Sequence, residues 1–277
     1  MKYLSFIRPN GSSAYGRLEG DTVYDLATNN SAPADLKAAI QNNTLSQLEI
    51  GAAYPYNELR LLPVIPNPSK IFCIGLNYET HRQETGRAKA DHPAIFTRFA
   101  DSLTGHGQPI LRPKVSTDLD YEGELAIIVG KGGRNISEAD AKNHIAGYAC
   151  FNDASIRDWQ WHTHQFIPGK NFPSTGPLGP YMITPDEAGV LDDVHVTTRL
   201  NGDVVQDQAI GEMIFPIPEI IAYLSTFTPL YPGDVIATGT PGGVGAKRKP
   251  PLWMKAGDTI EVEIGPMGIL KNTIVDE

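Results

Sequence analysis

Apolar residues along this chain recur mainly in short runs broken by Gly, Pro and Asn, a spacing that predicts strands more often than helices. Tyr3 to Ile7, Ala14 to Leu18 and Thr22 to Leu26, with a Glu19-Gly20-Asp21 turn, predict a small β-unit. Ala34 to Ile50 instead carries Leu36, Ala39, Ile40, Leu45 and Leu48 at helical spacing, interrupted near Asn42-Asn43, with Pro33 suited to its start. The proline-rich run Leu61 to Ser69 predicts an extended linker. A boundary near residue 66 then separates a small N-terminal α/β domain (1–65) from a larger one (66–277).

Beyond it, Lys70 to Gly75 and Pro93 to Phe99 predict strands. Between them, a short helix opens at Asn77 and stops at Gly86. Leu125 to Val129 and Ile145 to Phe151 are apolar on both faces, the mark of strands buried on both sides. Ser137 to Asp140 resembles a capping box, Ala154 to Gln165 has helical character, and Pro218 to Phe227 predicts a helix. Lys170 falls in a loop, and Asn201-Gly202 predicts a hairpin turn. Strands Asp234 to Thr238, Thr259 to Ile264 and Ile269 to Val275 close the chain. The fold class expected is a β-rich α+β arrangement, a mixed barrel or roll with short helices.

Composition narrows the function without naming it. At 277 residues there is ample length for a full core. A formal charge of -9 and the lack of any long Lys/Arg cluster argue against nucleic acid and anionic membrane as partners. Cys73 and Cys150 both lie in apolar runs, which predicts buried thiols in a cytoplasmic protein, with a disulfide between them left open.

Candidate chemistry concentrates at Asp120 to Gly130. Glu122 and Glu124 are two residues apart, so an extended chain projects both carboxylates from one face. Such a pair needs neutralising, either by Lys or Arg at a wet strand mouth or by a divalent metal with further oxygen ligands. Asp153, at the end of a neighbouring core strand, is a candidate third ligand. On the short helix, His81 and Glu84 are three apart and share a face; the pair reads as an oriented general base or as a surface ion pair. His162 and His164 read as surface residues. The glycine-rich run Gly239 to Gly245 lacks the Gly-Lys-Ser/Thr ending of a phosphate loop.

Six segments occur in a familiar order. They are Gly75-Leu-Asn-Tyr-x-x-His81-x-x-Glu84, Tyr121-Glu122-Gly-Glu124-Leu-Ala, Asn152-Asp153-x-Ser-x-Arg157-Asp158-x-Gln160, Gly169-Lys170-x-Phe172, Gly239-Thr-Pro-x-Gly-Val-Gly245 and Lys255-x-Gly-Asp258. Together they resemble the fumarylacetoacetate hydrolase superfamily, over roughly residues 66 to 277. The resemblance implies Glu122, Glu124 and Asp153 as ligands of Mg2+ or Mn2+, and His81 with Glu84 as a catalytic dyad on a lid-like helix. It implies Gln160 and Lys170 as stabilisers of developing negative charge, and Arg157, Thr240 and Tyr78 as substrate-binding groups. Asn77 stands where the best-known members have a further metal-ligand aspartate, which points to a shorter-substrate bacterial branch with three-carboxylate coordination. A homodimer is also implied.

The activity expected from this set is metal-dependent hydrolysis of the carbon–carbon bond of a 2,4-diketo, acylpyruvate-like acid. His81 would deprotonate the attacking water. A metal enolate serves equally for decarboxylation of a 2-oxo diacid or for isomerisation and tautomerisation, which is the alternative. A non-catalytic metal- or metabolite-binding module is a third reading.

Overall fold

The computed structural model describes residues 1–28 and 32–277. Its centre is the strand Gly123–Val129, every residue of which is buried. Successive side chains of a strand point to opposite faces, and here each face feeds a different core. Leu125, Ile127 and Val129 join Phe72, Ile74 and Ile236 on one side; Ala126 and Ile128 join Ile71, Cys73 and Ala237 on the other. The first core is closed by the helix Ile217–Phe227 and by Val196, Val262 and Leu270 of a second sheet. The second is closed by the N-terminal residues Tyr3, Tyr15, Leu36 and Ile40, with Val64 and Ile65. Truncating one such side chain, as in Ile127→Ala, removes about 2–5 kcal/mol of stability.

The main sheet has 12 strands. The central strand pairs antiparallel with Ile145–Asn152, with Gly123 opposite Asn152, and on its other edge with Val235–Ala237. Val235–Ala237 runs parallel to Ile71–Gly75, which pairs with Ala94–Arg98. On the far side Ile145–Asn152 pairs with Gly176–Ile183, and that strand with Lys2–Ile7. The N-terminal strands and those beyond residue 66 therefore share one sheet. A second sheet of five strands contains the hairpin His195–Leu200 and Asp203–Ala209. Its Asn201 and Gly202 both have positive φ, 54° and 91°, as a two-residue type I′ turn requires. The class is a strand-rich mixed α/β fold with short helices. Cys73 and Cys150 are buried free thiols. No helix among the described residues is long and apolar enough to cross a membrane.

Several helices are shorter than the periodicity predicts. The Ala34 to Ile50 pattern yields only Leu36–Gln41, capped by Asp35, whose carboxylate accepts from the Ala38 N–H at 2.7 Å. Asn43 then takes φ 53° and ends it. Ala154 to Gln165 yields the single turn Arg157–Gln160, and Ser137 to Asp140 leads into a 3-10 turn, Ala141–His144. Lys170 lies not in a loop but at the end of the short helix Ile167–Lys170. Asn77 is not the cap of the helix Glu79–Thr85, which starts after Tyr78. Instead its amide donates to the Phe215 and Thr238 carbonyls at 3.0 and 2.8 Å and accepts from the Phe215 N–H at 2.8 Å. Asn77 thus ties the entry to that helix to the turn before the helix Ile217–Phe227 and to the end of the strand Val235–Ala237.

Candidate active site

The carboxylates converge because two strands end side by side. Glu122 precedes the central strand, and its backbone N–H donates to Asn152 Oδ1 at 3.0 Å. The Asp153 N–H donates back to the Glu122 carbonyl at 2.8 Å, so the third carboxylate is fixed beside the first two. One ligand oxygen from each of Glu122, Glu124 and Asp153 lies within 4.8 Å of the others, and all three residues are buried.

Three buried cations oppose them. Arg98 closes the strand Ala94–Arg98 and donates Nη1 to Asp153 Oδ1 at 2.6 Å and Nη2 to Thr175 Oγ1 at 2.6 Å. Lys170 Nζ bridges Glu122 Oε2 and Asp153 Oδ2, both at 2.6 Å. Arg157 donates Nε to Asp120 Oδ2 at 2.8 Å and Nη1 to Gln160 Oε1 at 2.8 Å. Its Nη2 lies 2.6 Å from Glu122 Oε1 as an ion pair, without an aligned hydrogen bond. The helix Ile167–Lys170 can press this closely on the Arg157 turn because residue 169 is glycine; a Cβ there would stand 2.5 Å from the Gln160 nitrogen.

These partners split the fates of the two glutamates. Burial pushes the Glu122 carboxyl up, but Arg157, Lys170 and His81 outweigh it and hold Glu122 below the usual carboxylate range. Glu124 has no ion-pair partner among the described residues; the Gly239 N–H donates to its Oε2 at 2.8 Å. Burial, then the charges of Asp153 and Glu122, drive it well above the usual range. Burial works against the Lys170 ammonium too, yet Asp153 and Glu122 prevail and raise its pKa, so it stays charged. With Asp120, four buried carboxyl groups face three cations, and the one left without a cation is Glu124. An all-oxygen donor set with one carboxyl group unanswered fits a hard divalent cation, which would take the place of the proton. The triad could hold a metal.

His81 lines one cavity with Glu122 and Glu124. Its Nδ1 is 2.7 Å from Glu84 Oε1, and the Gly243 N–H donates to Glu84 Oε2 at 2.9 Å. Thr80 Oγ1 accepts from the Gly242 N–H at 3.0 Å, so the glycine-rich loop is stitched to the His81 helix. The same loop donates the Gly245 and Ala246 N–H groups to Asp120 at 2.7 and 2.9 Å. Its amides serve the protein's own carboxylates and hydroxyl, consistent with the missing phosphate-loop ending.

A cavity of about 130 Å³ is lined by His81, Glu122, Glu124, Arg157, Gln160, Lys170 and Thr240. Asp153 and Glu84 stand outside the lining and bear on it through Lys170 and His81. The Thr240 hydroxyl donates to the Gly123 carbonyl at 2.9 Å and accepts from Gln206 Nε2 at 2.8 Å. Tyr78 is placed elsewhere: it is fully buried in the apolar core with Leu125 and Ile127, and its hydroxyl has no partner among the described residues. His162 and His164 are exposed. Sequence reasoning gave no role to Arg98 or Asp120. An arginine within an otherwise apolar strand run, and an aspartate adjoining the paired glutamates, were the available signals.

A family model described as "Fumarylacetoacetate (FAA) hydrolase C-terminal" matches residues 70–275. The chain belongs to the fumarylacetoacetate hydrolase family. Oxaloacetate tautomerase fahd2, mitochondrial, of Xenopus laevis is 43% identical over 224 residues, 79% of this chain and 69% of that relative. Oxaloacetate tautomerase YisK of Bacillus subtilis (strain 168) is 43% identical over 232 residues, 82% of this chain and 77% of that relative. The solved fumarylacetoacetate hydrolase from Exiguobacterium antarcticum superposes with a TM-score of 0.87 at 34% identity, covering 100% of both chains.

Family membership establishes an enzyme fold of this superfamily, but the relatives overturn carbon–carbon hydrolysis as its reaction. Those sharing 43% of residues are oxaloacetate tautomerases. The hydrolytic expectation leaned on His81 with Glu84 as a water activator. A carboxylate-held imidazole moves a proton between carbon and oxygen equally well, so the residue types alone do not separate the reactions.

Proposed function

We propose that this chain is a divalent-metal-dependent tautomerase of a short 2-oxo diacid of the oxaloacetate type. It would shift a proton between C3 and the C2 oxygen. The observation that carries this reading is a fixed base facing an acidic metal site. His81, held through Nδ1 by Glu84, opens onto the same cavity as Glu122 and Glu124, in a chain 43% identical to two oxaloacetate tautomerases.

Mg2+ or Mn2+ suits the three carboxylates. Bound there, it would supply Lewis-acid stabilisation of negative charge on a 2-oxo acid's oxygens. Glu84 beside Nδ1 favours the imidazole tautomer protonated on that nitrogen, which leaves the Nε2 lone pair for the substrate. In the enol-to-keto direction an O–H bond at the C2 oxygen breaks and a C–H bond at C3 forms, with His81 Nε2 handling the proton. Gln160 Oε1 is occupied by Arg157, while its Nε2 makes no hydrogen bond among the described residues and is available to donate to a substrate oxygen. Arg157, with its donors directed at Asp120, Gln160 and Glu122, positions these groups. Lys170 keeps a full positive charge beside the oxygens on which negative charge develops.

The decay of the oxaloacetate enol absorbance tests this directly. Acceleration should require Mg2+ or Mn2+, vanish with chelator, and fall by about 10²-fold or more in His81→Ala. Wild-type protein that fails to accelerate the conversion with either metal would overturn the reading.

A further inference from the structure

We infer that the mouth of this cavity carries a clamp for the substrate's second carboxylate, formed by Arg87 and Lys247. The inference rests on the reading above, that the ligand is a 2-oxo acid bound at the acidic triad. The cavity has a chemical polarity. Its only lining carboxylates among the described residues, Glu122 and Glu124, belong to the triad; Arg87, Lys247, Trp161 and Phe166 line it as well. Arg87 and Lys247 are exposed, and neither makes an ion pair among the described residues, whereas Arg98, Arg157 and Lys170 are all committed to carboxylates.

Each free cation is carried over an aromatic face. The Arg87 guanidinium carbon lies 5.6 Å from the Phe166 ring centroid, and Lys247 Nζ lies 5.8 Å from that of Trp161. A ring face holds a cation in place without neutralising it, so both charges remain available to an incoming anion. The two come from elements already joined. Arg87 follows the Gly86 cap of the His81 helix, and Lys247 ends the glycine-rich loop that bonds Thr80 and Glu84. A 2-oxo acid held at the triad by its first carboxylate and its oxo group directs its other end away from the triad. A methyl there leaves both cations unanswered; a carboxylate meets them.

The test is binding of two ligands of equal length that differ only at that end. These are (S)-malate and (S)-2-hydroxybutanoate, titrated calorimetrically into the Mn2+-loaded protein. Neither contains an oxo group to enolise, so the result does not depend on turnover. Two exposed charge pairs predict a wild-type preference for malate of roughly tenfold, shrinking as salt rises. In Arg87→Ala/Lys247→Ala that preference should fall to near parity, and in Arg87→Glu/Lys247→Glu it should invert, with thermal denaturation showing that both variants are folded. A preference retained in the alanine variant overturns the clamp, as does a wild type that binds both ligands equally or neither. If wild-type protein prefers malate and the variants lose that preference, yet oxaloacetate enol is not converted, the tautomerase reading falls while the clamp stands.

Discussion

The two ends of the cavity hold positive charge in opposite ways. At the triad, Arg98, Arg157 and Lys170 are buried and each is fixed by one or more carboxylates at 2.6–2.8 Å. At the mouth, Arg87 and Lys247 rest on aromatic rings, exposed and without an ion pair among the described residues. Buried charges left unpaired are costly, so the inner cations are structural necessities for the carboxylates around them. Exposed cations contribute little to stability, which frees them to discriminate between ligands. Solvent access thus separates cations fixed by carboxylates from cations left free to meet a ligand.

That contrast can be broken at several points. Arg98→Met should have the largest effect on the fold, because it strands the buried Asp153 beside Lys170 alone. In metal-free protein we expect a loss of about 3–5 kcal/mol, read from urea denaturation; a loss below 1 kcal/mol would deny the inner cations their structural role. Next, Glu84→Gln keeps the shape but weakens the hold on His81. Its kcat for oxaloacetate enol conversion should drop about a hundredfold, with little change in the affinity for malate; an unchanged kcat would remove Glu84 from the dyad. Mn2+ at a hundred times its dissociation constant should then stabilise the wild type by about 2.7 kcal/mol. In Glu124→Gln most of that gain should disappear, because the carboxylate lacking a cation is the one removed; a full metal-induced shift in the variant would place the ion elsewhere. The smallest effect belongs to the mouth. Trp161→Ala, at an exposed position, should leave stability within about 0.5 kcal/mol of wild type by the same denaturation assay.

Much of this was legible in the chain because it is local. The run Leu125 to Val129 is apolar on both faces, and the strand it forms feeds two cores, one per face. Asn201-Gly202 makes its hairpin because those residues accept positive φ. The order of the six motifs likewise led to the family. Helix lengths were less legible. Apolar spacing in Ala34 to Ile50 continues past Gln41, but the backbone turns at Asn43 and periodicity carries no signal for that. Hydrolysis was read for a related reason: a histidine beside a glutamate specifies a proton carrier, not the molecule it serves.

The sequence by itself determined which chemical groups were available: a pair of glutamates two apart, an aspartate at a strand end, a histidine one helical turn from its carboxylate. Only the tertiary structure decided how their charges are answered. Arg98 reaches Asp153 across 55 residues, and Lys170 reaches Glu122 across 48. Contacts of that span leave no periodic trace in a sequence. Glu122 and Glu124, equivalent when read along the chain, therefore part company in the fold: one is held ionised by Arg157 and Lys170, the other is left to a single backbone N–H and, on our reading, to a metal ion. Electrostatic energy depends on distance and burial, and neither is a property of residue order.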